Sequence, residues 1–154
     1  MTRLAVFLAT AGYAGYAPIA PGTVGTAVGL IVYAFVAWTK SPIIEAAMIV
    51  AVFAVGVWAA TVAEQYFGGI DPGPVVIDEV VGMLITVAFI PVGWKGALLG
   101  FVLFRIFDVV KPFPARRFEA LHGGLGVMAD DAMAAIYAHL VMRLVWAMAP
   151  GWIV

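Results

Sequence analysis

From Ile43 to Ala63 the chain runs through apolar and small residues, and Glu45, near the start, is its only charge. One bilayer-crossing helix needs about 20 such residues. Four further apolar runs share the chain: Val24 to Trp38, Val80 to Ile90 with its flanks, Ala97 to Val110, and Ala132 to Met148. They leave 65% of the 154 residues apolar and 11% charged, against about 45–50% and 25% in a soluble domain. A soluble domain of this size exposes too much surface to hide that many apolar groups. The natural solvent of this chain is a bilayer.

The runs lack two-residue alternation and are too long for barrel strands. The expected fold is therefore all-α, a polytopic membrane helix bundle with about five spanning helices. A short N-terminal helix covers Leu4 to Gly12; the apolar stretch there is too weak for a signal peptide. The third and fourth runs are short, so a tilted pair or a hairpin held by protein is an alternative to two full spans. No linker, repeat or charge block divides the chain, and residues 1–154 read as one membrane-embedded domain.

Several function classes fall away at once. A formal net charge of −1 argues against nucleic acid, which requires a basic face. The chain has no cysteine, which removes disulfides, zinc-thiolate sites, iron–sulfur clusters and thiol-phosphate catalysis.

Loop charge sets the orientation. With Arg3 in the cytoplasm, five spans place Lys40 and Lys95 outside, and Glu64 to Glu79 and Lys111 to Ala129 inside. Arg3, Lys111, Arg116 and Arg117 then outnumber the two outer lysines, as the positive-inside rule requires. The N-terminus and both inner segments land on one face.

Charges in so apolar a chain are costly and mark function. Asp78, Glu79, Asp108, Asp130 and Asp131 all border apolar runs on that same face. Val-Val-Ile-Asp-Glu-Val-Val-Gly (75–82) sets two adjacent carboxylates at a helix entrance. Phe-Arg-Ile-Phe-Asp-Val-Val-Lys-Pro-Phe-Pro (104–114) spaces Arg105, Asp108 and Lys111 three apart, hence on one helix face; Pro112 ends the helix. Gly-Gly-Leu-Gly-Val-Met-Ala-Asp-Asp (123–131) reads as a flexible loop closing on two carboxylates as the last helix begins. Either adjacent pair alone is explained by helix capping and the dipole. Asp108 is not, because it sits near a helix C-terminus, where an anion is disfavoured; its plainer reading is a structural ion pair with Arg105 or Lys111.

Hard oxygen ligands without cysteine or histidine suit magnesium, manganese or calcium. Arg105 and Lys111 beside them suit a phosphate dianion. The combination points to metal-assisted phosphoryl chemistry. A Pro/Gly loop leading into a helix, Ala-Pro-Ile-Ala-Pro-Gly-Thr-Val-Gly-Thr (17–26), adds a candidate anion site with Thr23 or Thr26 contributing a hydroxyl; its plainer reading is a threonine-capped turn. His122 reads as a solvated loop residue, His139 as a satisfied bundle residue, and Glu64 and Asp71 as supporting or wet.

Taken in order, Ala-Pro-Gly-Thr-Val-Gly-Thr, Asp-Pro-Gly-Pro-Val-Val-Ile-Asp-Glu-Val-Val-Gly, Phe-Arg-Ile-Phe-Asp-Val-Val-Lys-Pro-Phe-Pro and Gly-Gly-Leu-Gly-Val-Met-Ala-Asp-Asp resemble the motifs of the phosphatidylglycerophosphatase A family across residues 12–140. The resemblance implies a bacterial, Mg2+-dependent lipid phosphatase of the inner (cytoplasmic) membrane, with its active site facing the cytoplasm. It would convert phosphatidylglycerophosphate to phosphatidylglycerol. The family's acids map onto Asp78, Glu79, Asp108, Asp130 and Asp131 as metal ligands and catalytic groups, with Lys111 following the third. Arg105, Lys111 and Thr23 would hold the substrate phosphate. One carboxylate would act as base on water or as nucleophile; the residues leave that open. The competing classes are a cation transporter or channel using intramembrane acids, which needs polar groups through the membrane depth, and a non-catalytic scaffold, which leaves the acids idle.

Overall fold

A computed structural model describes residues 1–118 and 121–154, and the described residues are helical with no strand. Helix α1 (Thr2–Ala9) and a short helical turn (Ala14–Tyr16) precede α2 (Pro21–Trp38), α3 (Pro42–Phe67) and α4 (Ile77–Val87). Then follow α5 (Trp94–Val110), α6 (Ala115–Phe118), α7 (Gly124–Met148) and α8 (Pro150–Ile153). The protein is a helical membrane bundle, as the apolar runs require. Three helices, α2, α3 and α7, are long and apolar enough to cross a bilayer.

Local chemistry sets the helix ends. Ser41 caps α3 by accepting the Ile44 amide N–H, Pro42 occupies the first turn, and Glu45 offsets the dipole there. At the other end Gly68 turns left-handed, with φ of 77°, and its N–H closes on the Glu64 carbonyl. The helix thus outlasts its apolar run by four residues, through Glu64, Gln65 and Tyr66 to Phe67.

Helix α4 differs from its neighbours. At about 1.5 Å per residue its 11 residues fall well short of the ~30 Å hydrocarbon core. Every residue in it except Glu79 and Ile85 is buried. It is the hub of the bundle, packed against α2, α3, α5 and α7. The third apolar run is therefore an internal half-length helix, the protein-held alternative to a full span. By contrast, α2, α3, α5 and α7 leave Ile31, Phe35, Val50, Ile106 and Leu140 exposed, the outward apolar face that a lipid environment covers.

Small residues make the packing close. A Cβ at Gly25 would stand 2.7 Å from the Val76 Cβ and 2.9 Å from its carbonyl oxygen, and one at Gly29 would stand 2.7 Å from the Met83 Cβ. Gly22, Gly25 and Gly29 thus form the stripe along which α2 approaches α4, in the same direction. A Cβ at Gly124 would meet the Val57 carbonyl oxygen at 2.1 Å, so α7 begins pressed against α3. Alternating chain direction brings the α1 region, the α3–α4 connection and the α5–α7 connection to one end, the parity expected from the loops. Trp38, Trp94 and Trp152 are exposed at the opposite end, an interfacial aromatic belt.

Substituting Gly25 with valine is expected to force α2 off α4, at a cost of about 1–3 kcal/mol for overpacking. Thermal unfolding in detergent reads this as a lower Tm. An unchanged Tm would mean the helices do not touch along this stripe.

Candidate active site

The site forms where α2, α4 and α7 start and α5 ends. Asp78 and Glu79 occupy the first turn of α4, as anions at a helix N-terminus should. Asp108 lies in the last turn of α5, and Asp130 and Asp131 lie about two turns into α7. The last pair corrects the expectation of a flexible loop over 123–131. That segment is helical from Gly124, because the Thr61 hydroxyl accepts the Gly124 N–H at 2.9 Å and the glycine fits flush against Val57.

All five acids converge, and four are almost wholly buried: Asp78 6% exposed, Asp108 9%, Asp130 4% and Asp131 3%. One carboxylate oxygen from each of Asp78, Glu79 and Asp131 lies within 4.8 Å of the others. At such separations two carboxylates repel by about 3 kcal/mol or more for an effective dielectric near 20. Asp78 Oδ1, Glu79 Oε2 and Asp131 Oδ2 are buried and accept no hydrogen bond. Buried oxygens are ordinarily paired. Three crowded carboxylates, each with a buried oxygen left unpaired, fit a hard cation.

The remaining two acids have cations of their own. Arg105 Nη1 meets Asp108 Oδ2 at 2.7 Å and Glu79 Oε1 at 3.6 Å, so one guanidinium ties α5 to α4. It also neutralises the anion that the α5 C-terminus disfavours. Lys111 caps α5 in the left-handed region, with φ of 43°, uncommon for a residue with a Cβ. From there its ammonium meets Asp130 Oδ2 at 2.5 Å. Asp130 Oδ1 accepts the Asp131 N–H at 2.9 Å. Five carboxylates against two cations leave the site anionic, with the deficit at Asp78, Glu79 and Asp131.

The 17–26 loop divides its threonines. Thr26 is buried and donates to the Gly22 carbonyl at 2.8 Å, a role internal to α2. Thr23 lines a groove with Arg105. No side chain caps α2, which starts at Pro21 behind a left-handed Ala20, so the threonine-cap reading does not hold. Gly22 is a site residue that motif reading passed over: a Cβ there would stand 2.1 Å from Glu79 Oε1 and 3.0 Å from Arg105 Nη1. Its signal was the glycine spacing with Gly25 and Gly29.

Asp71, in the loop between α3 and α4, shares a cavity of about 220 Å³ with Asp130. Withdrawal from water, and next the charge of Asp130, raises its pKa above the ordinary carboxylate range. Its N–H donates to Glu64 Oε1 at 3.1 Å. His122 is exposed. His139 lies outside the cluster, its Nδ1 3.2 Å from the Thr86 carbonyl and its Nε2 accepting the Arg143 Nε–H at 3.1 Å. The described acids gather at one end, and Glu45 at the far end accepts the Phe89 N–H. They form no ladder of carboxylates through the bundle, such as an ion path needs.

Fold and site together define a helical membrane protein with a buried cluster of carboxylates at one end of its bundle. The chain belongs to the phosphatidylglycerophosphatase A family, whose family model matches residues 7–146. It is similar to the phosphatidylglycerophosphatase A of Haemophilus influenzae, 39% identical over 125 residues, covering 80% of this chain and 77% of that one. The Escherichia coli phosphatidylglycerophosphatase A is 34% identical over 127 residues, covering 79% and 72%. A Bacteroides thetaiotaomicron protein named "Putative phosphatidylinositol-3-phosphatase" is 37% identical over 148 residues, 92% of each chain. No solved structure matches the chain. The protein is a phosphatase of a bacterial membrane family.

Gly22→Ala is expected to push Glu79 and Arg105 apart and lower phosphatase activity by about tenfold or more, since a ~1 Å misplacement already costs on that scale. The helix itself tolerates alanine well, so circular dichroism should stay unchanged. Full activity would mean that the Glu79–Arg105 contact does not matter to turnover.

Proposed function

We propose that the protein hydrolyses the terminal phosphate monoester of phosphatidylglycerophosphate, with Mg2+ as cofactor, at the cytoplasmic face of the bacterial inner membrane. The observation that carries this reading is the set of three buried, unpaired oxygens of Asp78, Glu79 and Asp131, set between Arg105 and Lys111. The names of the Haemophilus and Escherichia relatives supply the substrate.

Asp78, Glu79 and Asp131 would hold the ion, with Asp108 and Asp130 alongside. Bound there, the ion supplies Lewis-acid polarisation of a phosphate oxygen and offsets the carboxylate charge. Arg105 and Lys111 hold the phosphate and meet the negative charge that grows on it as the ester bond breaks. Thr23 offers a hydroxyl beside Arg105. Water cleaves the P–O ester bond, giving inorganic phosphate and phosphatidylglycerol. Asp108 and Asp130 keep the two cations aimed inward. In the absence of cysteine, no thiol-phosphate intermediate is available to this chain.

The location suits such a substrate. The Asp130–Asp131 pair lies about 10 Å along α7 from its start, at 1.5 Å per residue, within reach of a phosphate anchored by acyl chains. The excess of basic loop residues at this end, four to two, supports a cytoplasmic orientation. The Bacteroides relative is named for a different lipid phosphate, so phosphatidylinositol 3-phosphate is the comparison substrate. Purified protein is expected to release phosphate from phosphatidylglycerophosphate far faster. The reverse preference would replace the substrate and leave the phosphatase.

Each of Asp78→Asn, Asp108→Asn and Asp131→Asn is expected to abolish phosphate release, by about 10²-fold or more as for lost electrostatic stabilisation, while the protein still folds. Full activity in any one would remove that residue from the site. Chelation by EDTA should stop turnover and Mg2+ restore it. Millimolar Mg2+ should also raise the Tm of the wild type, by about 2.7 kcal/mol of stability at 100-fold over Kd, but not that of Asp131→Asn. A Tm indifferent to Mg2+ in both would contradict the metal assignment.

A further inference from the structure

Two cavities border the acid cluster. One, of about 220 Å³, is lined by Asp71 and Asp130, the latter paired with Lys111. The other is a groove of about 470 Å³ between α2 and α5, lined by Thr23, Phe101, Val102, Arg105, Ile106 and Val109 among others. Val102, Ile106 and Val109 are 46%, 50% and 75% exposed, on a helix face that looks into lipid. α2 and α5 touch only sparingly, both being held by α4. At Gly22 the seam between them holds the Glu79 and Arg105 side chains, so a phosphate entering there meets the guanidinium first.

We infer that this groove seats the proximal part of a phospholipid acyl chain, and that the substrate reaches the acids sideways from the bilayer through the α2–α5 seam. The inference rests on the phosphatase reading above and adds where the lipid lies. Its support is continuity and charge. The polar end of the groove is Arg105, whose guanidinium contacts Asp108 and Glu79, so a phosphate at that end meets a cation at the edge of the cluster. α5 descends from the opposite membrane face towards the site. From Arg105 back to Val102 and Phe101 the groove therefore runs inward, the direction an acyl tail takes from its headgroup. A molecule anionic at one end and aliphatic at the other matches both ends, whereas inorganic phosphate uses only the first.

A tail leaving the bilayer for a protein groove gains no hydrophobic free energy. The groove therefore positions the ester, and Val102 and Ile106 are positioning residues. Tryptophan at either would fill the groove from a lipid-facing position where the bundle tolerates bulk. Leu144→Trp, on the lipid-facing side of α7, is the control for bulk alone.

The experiment compares dioleoyl phosphatidylglycerophosphate with its deacylated, water-soluble counterpart, glycerophosphoglycerophosphate, as substrates for the purified, Mg2+-loaded protein. Val102→Trp and Ile106→Trp are expected to cut kcat/KM for the dioleoyl lipid about tenfold or more, as misplacement of a reacting group does. They should largely spare the deacylated ester, and Leu144→Trp should spare both. As a second measurement, a dioleoyl-type lipid with a photoreactive group near its headgroup should label α5 in the wild type. Equal losses for the acylated and deacylated substrates, equal losses in Leu144→Trp, or labelling confined to α7 would overturn the groove assignment. Wild-type protein that releases phosphate from neither ester would instead overturn the phosphatase reading, and the groove assignment with it.

Discussion

Like charges held together in a medium that cannot solvate them are the constraint around which this bundle is organised. Asp78, Glu79 and Asp131 come from two helices, bring one carboxylate oxygen each within 4.8 Å of the others, and each keep a buried oxygen without a hydrogen bond. Such a group persists only if the scaffold forces it and a cation or a proton relieves it. Arg105 relieves Asp108 and Glu79, Lys111 relieves Asp130, and both join helices in doing so: α5 to α4 in the first case, the end of α5 to α7 in the second. What is left over is negative potential aimed at a single spot. In the proposed reading, this potential is what collects a metal and, with it, a phosphate.

The scaffold supplies the force through glycine. The stripe of Gly22, Gly25 and Gly29 draws α2 onto α4, and Gly124 draws α7 onto α3. These contacts fix the axial level of α4 and α7, and so the height at which their acids meet. Without water in the hydrocarbon core, close van der Waals approach is the main force holding apolar helices together. The same residues that stabilise the bundle therefore set the geometry of its chemistry. Gly22 does both, since its missing side chain is the space that Glu79 and Arg105 occupy.

Much of this was legible in the residues, for physical reasons that differ from element to element. The apolar runs located α2, α3 and α5 closely because length and hydropathy decide membrane helices. The start of α7 was not legible: Gly-Gly-Leu-Gly reads as loop, and only its seat against Val57 and the Thr61 hydroxyl makes it helix. The central place of α4 was hidden too, because a short apolar run looks alike whether lipid or protein covers it. The acids announced themselves by their cost in an apolar chain, and their common face followed from span parity. Their pairing did not, since Lys111 reaches Asp130 through a left-handed cap that no spacing rule foretells.

The central claim is that carboxylates from separate helices create one buried divalent-cation site. Anomalous diffraction from crystals grown with Mn2+ tests it most directly. A single strong peak within coordinating distance of Asp78, Glu79 and Asp131 is the predicted result. A cluster that binds no ion while manganese gathers at Glu64 or Asp71 would contradict it.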